Sequence, residues 1–457
     1  MKYPAYPKHK DSGVEWLGEV PEHWEVRRLK LLLSDPLKYG ANEAAENDDP
    51  ELPRYVRITD IDENDSLRDD TFRSLPRDMA IPYILRDGDM LFARSGATAG
   101  KSFLYKDSWG MCAYAGYLIR ARFDNKVMFP KFVRYFTSSV NYWQWISMAI
   151  IQATIQNVSA EKYSELLLTV PTFFEQRTIA AFLDAQTSKL DTLIAKKREL
   201  IDKLKEKRAA LITRTVTRGL PPEAAKAAGL DPHPKMKDSG VEWLGEVPEH
   251  WEVKRIKNIV DSIQIGPFGG MLTEVVDSQT GIKLYGQENI ISGDFGIGFR
   301  WIPESVCYLI HNYEVKPGDV LITRKGSLGH SKIFPANHEI GIIDSDTIRI
   351  RVDESVILNK YLQNVLNNSS FTEAQVDMNK RGAILSGVNT AVISGLIMCV
   401  PPVEEQDVII KFLDRETAAI DALVAKVETA IDRLQEYRAA LITAAVTGQI
   451  DVREAVQ

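Results

Sequence analysis

The sequence predicts an α+β fold built twice: two mixed α/β domains, separated by two long antiparallel helices and related by an internal pseudo-two-fold duplication. Three observations predict it. Residues 10–30, KDSGVEWLGEVPEHWEVRRLK, return at 237–257 as KDSGVEWLGEVPEHWEVKRIK, with two positions changed. Residues 175–217 return at 405–447 with 23 of 43 positions identical. Both copies of that second block repeat apolar residues every seven positions, a periodicity of packed helices and not of strands.

In chain order, each copy begins with the tryptophan motif. Trp16 and Trp24, and Trp243 and Trp251 in the second copy, are expected to anchor it against a neighbouring helix or domain. A mixed region follows, about 26–170 and 253–400. Tyr55–Ile61 alternates in polarity, Met90–Ala93 and Val320–Thr323 are apolar runs after Asp-Gly-Asp and Pro-Gly-Asp turns, and Leu166–Val170 and Leu396–Val400 run into prolines. These read as strands around turns, whereas Pro130–Ser147 and Asn359–Gln375 read as helices. A Pro-x-x-x-Glu-Gln junction, Pro171–Gln176 and Pro401–Gln406, leads into the long helix.

The first helix repeats Leu183, Leu190, Lys197, Leu204 and Leu211, with Leu193 and Leu200 as companion seam positions; the second repeats Leu413, Ile420, Val427, Leu434 and Leu441, with Leu423 as companion. This is a heptad seam, with an ordinary amphipathic surface helix as the alternative. Lys197 and Lys207 enter the first seam where the second has Val427 and Tyr437, which suits a matched antiparallel pair better than two self-associating helices. Forty-odd residues span on the order of 60 Å at about 1.5 Å each, nearly two turns of B-DNA. The expected division is a first domain over 1–174, a helical spacer over 175–218, a Pro/Ala/Gly connection over 219–236, a second domain over 237–404 and a C-terminal helical region over 405–457.

Composition bounds the function. Hydrophobic residues make up 44% and charged residues 26% of 457, ordinary globular values, and no apolar run nears the roughly 20 residues that cross a bilayer. The first ten residues have no apolar core of a secretory signal, so a soluble protein of the cytoplasm is expected. Cys112, Cys307 and Cys399 are scattered and odd in number, small core residues and not a disulfide frame or zinc site. The net charge of −7 opposes nucleic-acid binding over the whole surface but not on local faces: 196–218 holds nine Lys/Arg against three Asp/Glu, and 426–448 three of each.

The motif most suggestive of chemistry is Gly96-Ala-Thr-Ala-Gly100-Lys101-Ser102, which approaches a phosphate-binding P-loop. It has three residues where four are needed before Gly-Lys, and the second copy, Gly326-Ser-Leu-Gly329-His330-Ser331, lacks the lysine. Aligning the copies instead brings Gly88-Asp89 onto Gly318-Asp319, Arg94 onto Arg324 and Gly96 onto Gly326. A strand that delivers an arginine into a glycine-rich loop suits a DNA backbone or a guanine edge, or else the arginine pairs with a local carboxylate to brace the turn. Candidate DNA-contacting residues are Arg54, Arg57, Arg94, Ser95, Thr98, Lys101, Gln152 and Gln156 in the first copy, and Gln287, Asn289, Arg324, Lys325, Ser327, Lys380 and Arg381 in the second. No His, Asp or Glu cluster has metal spacing, so no metal site is expected and His23 and His250 read as packing or capping residues. No D/N-P-P-Y/F tetrapeptide of the amino-methyltransferases occurs, and no catalytic residue is assigned.

Together, the duplicated G-V-x-W-L-G-E-V-P-E-H-W motif, the G-D-x-L-x-x-R-x-G loop and the P-x-x-x-E-Q entry into F-L-D and a long helix resemble the specificity subunit of type I restriction-modification systems. The resemblance covers nearly the whole chain. It implies two target recognition domains, each reading one half of a bipartite, asymmetric site in double-stranded DNA, and helices that set the unread spacer. It implies further that two methyltransferase subunits dock on the helices, with Leu183, Leu190, Leu193, Leu204, Leu413, Ile420, Leu423 and Leu434 in the seam or docking face, and that nuclease-translocase subunits join them. AdoMet, ATP and Mg²⁺ belong on those partners, and this chain is implied to be a non-catalytic subunit without a cofactor or membrane contact. Two rivals stand beside it: an enzyme acting on nucleic acid, for which no repeated catalytic constellation is present, and a coiled-coil assembly scaffold that reads no sequence, for which the acidity is the best argument.

Overall fold

The computed structural model describes residues 3–62, 66–151, 157–268, 281–298, 300–303, 311–324, 330–367, 371–372, 374–376 and 388–455. The chain separates into two compact units, Met1–Lys197 with Glu428–Gln457, and Arg198–Val427. The division passes through both long helices, so each unit holds one mixed domain and one half of each helix.

In unit 1, β1 (Leu33–Tyr39), β3 (Met90–Ala93), β4 (Ser102–Leu104) and β6 (Leu118–Phe123) make an antiparallel sheet in the order β1-β6-β3-β4, while β2 (Arg54–Val56) pairs in parallel with β5 (Cys112–Tyr114). Unit 2 repeats these strands and adds a short one, Trp301–Ile302, to the parallel pair. β7 (Val260–Ile265), β9 (Val320–Thr323), β10 (Ser331–Ile333) and β12 (Thr347–Val352) run in the order β7-β12-β9-β10, and β8 (Ile282–Tyr285) pairs in parallel with β11 (Ile342–Ile343). The apolar runs after the Gly-Asp turns are the expected strands because all four residues of each are buried. Tyr55–Ile61, by contrast, is extended over only its first residues and then turns into a 3₁₀ segment at Ile58–Asp60.

The expected helix over 130–147 is two: α1 (Pro130–Phe136) and α2 (Val140–Ile151). Proline at its first position presets α1, and Ser139 Oγ interrupts the run by accepting the Tyr142 amide and donating to the Phe136 carbonyl. Its counterpart in unit 2 is α4 (Asn359–Leu366). The long helices are α3 (Phe173–Arg218) and α5 (Val403–Val446), and the connection between the copies holds a short helix at Pro222–Ala227. Trp24, Phe92, Phe132 and Leu183 share one core with Leu441 and Val446; Trp251, Ile322, Tyr361 and Leu413 share the other with Ile212 and Val216. In each unit the start of one long helix therefore packs antiparallel on the end of the other. Arg438 clamps Asp191 in unit 1, and the repeat-equivalent Arg208 clamps Asp421 in unit 2, each with Nε 2.9 Å from Oδ1.

The structure corrects the companion seam. Leu193, Leu200 and Leu423 are 43%, 42% and 44% exposed, whereas Ile194, Ile201 and Ile431, four residues after a heptad position instead of three, are buried. Steps of three-then-four and four-then-three both satisfy a 3.5-residue period, and leucines favoured the first. Burying that set would also bury Lys207 and Glu416; the other set leaves Lys207 exposed and Glu416 half-exposed, and places Arg208 against Asp421. Leu183, Leu204, Leu413 and Ile420 are buried, and Leu190 and Leu434 half-buried.

The two diagnostic motifs meet at one joint in each unit. His23 Nε2 lies 2.8 Å from Glu175 Oε1, and His250 Nε2 2.7 Å from Glu405 Oε2. The following glutamine is wholly buried: Gln176 accepts the Phe129 amide and donates to the Val127 and Pro171 carbonyls, and Gln406 repeats the pattern with Leu358, Val356 and Pro401. Each glutamine thus satisfies three buried backbone groups that would otherwise cost about 1–3 kcal/mol apiece, tying the start of a long helix to the loop before α1 or α4. Burial alone would push the Glu175 carboxyl up; hydrogen bonds from His23 and Thr172, with the nearby His23, overcome it and hold the carboxyl below its ordinary value. Trp24 and Trp251 are fully buried beside these joints, the anchoring expected of them.

Candidate nucleic-acid interface

The Gly-Asp turn positions the arginine loop. Asp89 is buried, accepts the Arg86 amide and takes both arms of Arg122 at 2.7 Å; Asp319 does the same with Lys316 and Arg351. The strand that follows is thereby held at a fixed height in the sheet and ends on Arg94 or Arg324. Neither arginine braces the turn through a carboxylate among the described residues. Both backbone groups of each are clamped: the Arg94 amide donates to Tyr117 and its carbonyl accepts from Val158, and the Arg324 amide donates to Asp346 and its carbonyl accepts from Val388. The Arg94 guanidinium lies over the Tyr39 ring at 4.9 Å and that of Arg324 over Phe268 at 4.8 Å, each stack contributing about 0.5–1 kcal/mol at a partly exposed site.

The loop after Arg94 is no phosphate cradle. The amides of Ala99, Gly100 and Lys101 donate to Gly96, Ala93 and Thr98, so they are spent within the loop instead of converging on an anion. Ser95 and Thr98 line a cleft of about 400 Å³ with Arg57, Thr59, Tyr55 and Tyr117. Lys101 lines a second, of about 820 Å³, with Arg68, Arg134 and Trp143; Ile58 borders both. In unit 2 the equivalent of Lys101, His330, lines a polar cleft of about 360 Å³ with Arg208, Lys332, Lys360 and Asn367.

Other candidates are placed less favourably. Arg54 has a side chain only 11% exposed, donates to the Arg68 carbonyl and packs over Phe72. Arg57 reaches its cleft but is held by both oxygens of Asp60 and by the Thr71 carbonyl. Asn289 is turned inward: 1% exposed, it accepts the Gly286 amide and donates to Asp294 and Ile297, so its amide is fully used as a cap. Gln287 opens that short helix, half-buried. Gln152, Gln156, Lys325, Ser327, Lys380 and Arg381 lie outside the described residues, as does Cys307; Cys112 and Cys399 are buried free thiols. Tyr39 and Phe268 were missed by sequence reasoning, because each comes from a strand end far from its arginine. One signal was present: Tyr39 precedes Gly40 and Phe268 follows Gly266, glycines at which a Cβ would run into the Tyr114 and Asp344 carbonyls.

No protein-family model matches the chain. Among curated proteins it is 23% identical over 445 residues to the type I restriction enzyme MjaVIII specificity subunit of Methanocaldococcus jannaschii, covering 95% of this chain and 94% of that one. It is 22% identical over 363 residues to the type I restriction enzyme EcoKI specificity subunit of Escherichia coli, covering 78% and 72%. Among solved structures, a chain described under complex assembly and conformational transition of the type I R-M system superposes with a TM-score of 0.66 at 17% identity, over 94% of this chain and 99% of that one. The HsdS subunit from Thermoanaerobacter tengcongensis gives 0.51 at 16% identity, over 94% and 98%. These structures establish the fold, mixed domains joined by long helices. The chain is similar, over nearly its whole length, to type I specificity subunits.

Proposed function

We propose that this chain is the DNA-specificity subunit of a type I restriction-modification complex, a non-catalytic component acting in the cytoplasm. Regions 1–174 and 237–404 act as its recognition domains, 175–218 and 405–457 as the helical spacer and docking elements, and 219–236 as the connection. Each domain reads one half of a bipartite site in double-stranded DNA. One observation carries this reading: the sheet, the Gly-Asp turn and the clamped arginine repeat in both units, while the residues around the arginine differ. A duplicated frame with different faces suits two unlike half-sites. Leu193 and Leu200 on α3 and Leu423 on α5 are exposed apolar positions at which two methyltransferase subunits dock, and nuclease-translocase subunits complete the assembly. AdoMet, ATP and Mg²⁺ reside on those partners. Among the described residues, no helix is long and apolar enough to cross a membrane.

The test is to co-express the chain with its methyltransferase subunit and map methylated adenines across genomic DNA. A single motif of two defined halves with a fixed unread gap is expected. The acidity of the chain favours the scaffold alternative, which would instead give methylation without a bipartite motif, or methylation that does not depend on this chain.

A further inference from the structure

We propose that Arg94 and Arg324 are the sequence-independent phosphate clamps of the two recognition domains, one in each, and that base selectivity lies in the side chains around them. This rests on the specificity-subunit reading and assigns a role within it.

Three observations separate the phosphate from the alternative target, a guanine edge. The first is identity across the repeat. Two domains that read different half-sites need different base-reading side chains, yet both place arginine here, while the next residue is Ser95 in one and Lys325 in the other. What is common to the two sites is the backbone. The second is how each arginine is held. Its main chain is fixed by the same two hydrogen bonds in both units, and its guanidinium lies over an aromatic ring that is itself partly exposed, with Tyr39 at 37% and Phe268 at 47%. The two rings are not inherited from one ancestral position: one precedes the close-packed glycine and the other follows its equivalent by two residues. The stack has been rebuilt by different residues, so the orientation of the arginine is what both domains preserve.

The third is charge. Among the described residues neither guanidinium has a carboxylate within ion-pairing distance, and Nε of each is buried without a hydrogen-bond partner. Arg324 donates one Nη1 bond at 3.3 Å to the Ser345 carbonyl, and no acid neutralises it there. Arg57 and Arg122, nearby in the same fold, are both locked to aspartates. With the ring on one side and Nε buried, the terminal Nη groups are what remains to meet anionic oxygens, donors that a phosphate accepts.

The test uses the full chain in complex with its methyltransferase subunit, and compares wild type with Arg94→Ala, Arg94→Lys, Arg324→Ala and Tyr39→Leu. Two readouts are taken: the salt dependence of DNA binding and the methylated motif. Each alanine variant should weaken binding roughly 10- to 100-fold and lower the slope of log affinity against log salt by about 1, with the motif unchanged at every position. Arg94→Lys should restore the slope. Tyr39→Leu keeps the charge and should lower affinity with the slope intact; because a folding defect would also leave the slope intact, it is the fall in slope of the alanine variants and its return in Arg94→Lys that separate the clamp from misfolding. Relaxation of the motif at one base of one half would show a base reader and overturn the assignment, as would an unchanged slope. Wild type that methylates without a bipartite motif would instead bring down the specificity reading itself.

Discussion

In unit 1 the residue before the 3₁₀ turn is Arg57, clamped by Asp60; in unit 2 the same place is Gly286, capped by Asn289. A side chain at Gly286 would collide with Arg300, whose guanidinium arrives from a different part of the chain and bonds Glu288 and Asp344. Below this surface the two units share Asp89–Arg122 and Asp319–Arg351, the bonds of Gln176 and Gln406, and the two helix clamps. Apart from the helix clamps, the carboxylates and glutamines that hold the frame are buried, and their geometry tolerates little change. Groups on the faces are exposed and cost little to replace, so divergence after duplication has accumulated there. Changing the frame in one unit and then in the other tests how far the two are equivalent.

The largest effect should come from Asp89→Ala and its mirror Asp319→Ala. Asp319→Ala leaves Arg351 without an ion-pair partner among the described residues and should cost about 3–5 kcal/mol in urea or guanidinium unfolding, whereas Asp89→Ala leaves Arg122 paired with Asp35 at 3.0 Å and should cost less. Equal losses would contradict the part played by Asp35. Next, Trp24→Phe and Trp251→Phe should differ. Trp24 Nε1 lies 3.5 Å from Glu175 Oε1, whereas Trp251 Nε1 has no partner, so the unit 1 change should cost about 0.5–1.5 kcal/mol more by the same measurement.

A smaller, pH-dependent difference follows from Thr172, which bonds Glu175 and has Pro402 as its counterpart. The Glu175 carboxyl titrates lower folded than unfolded, so its contribution is fully present above the ordinary glutamate range near about 4.3 and is lost as pH falls through the lower folded value. Glu175→Gln should flatten the acid limb of stability against pH, and an unchanged limb would contradict the joint's electrostatics. The smallest effect belongs to Asp191→Ala, which removes a largely exposed helix clamp and should cost about 0.2–1 kcal/mol in thermal unfolding.

Much of this frame was legible in the sequence because it is written in period and repetition. The strands at Met90–Ala93 and Val320–Thr323 and the long helices follow from apolar runs and heptads, whereas the pairing of His23 with Glu175 and His250 with Glu405 does not. The seam's companion was not legible, since leucines at 193 and 200 satisfy a heptad as well as isoleucines at 194 and 201 until Lys207 must be buried. Nor was the fate of polar donors. Asn289 and Arg57 carry the right groups for DNA, but whether a donor is free depends on partners that only folding brings near, such as Ile297 and Thr71. The aromatic rings beneath Arg94 and Arg324 were hidden for the same reason.

The most direct test of the central claim replaces residues 26–170 by residues 253–400 of the same chain, so that both domains carry the face of unit 2, and maps the adenines methylated by the assembled complex. The two units share their joints, and the chimera should therefore methylate a bipartite site whose halves are identical and inverted, the half read by unit 2 being retained. An unchanged asymmetric motif, or methylation with no motif, would contradict the claim that each domain reads one half of the site.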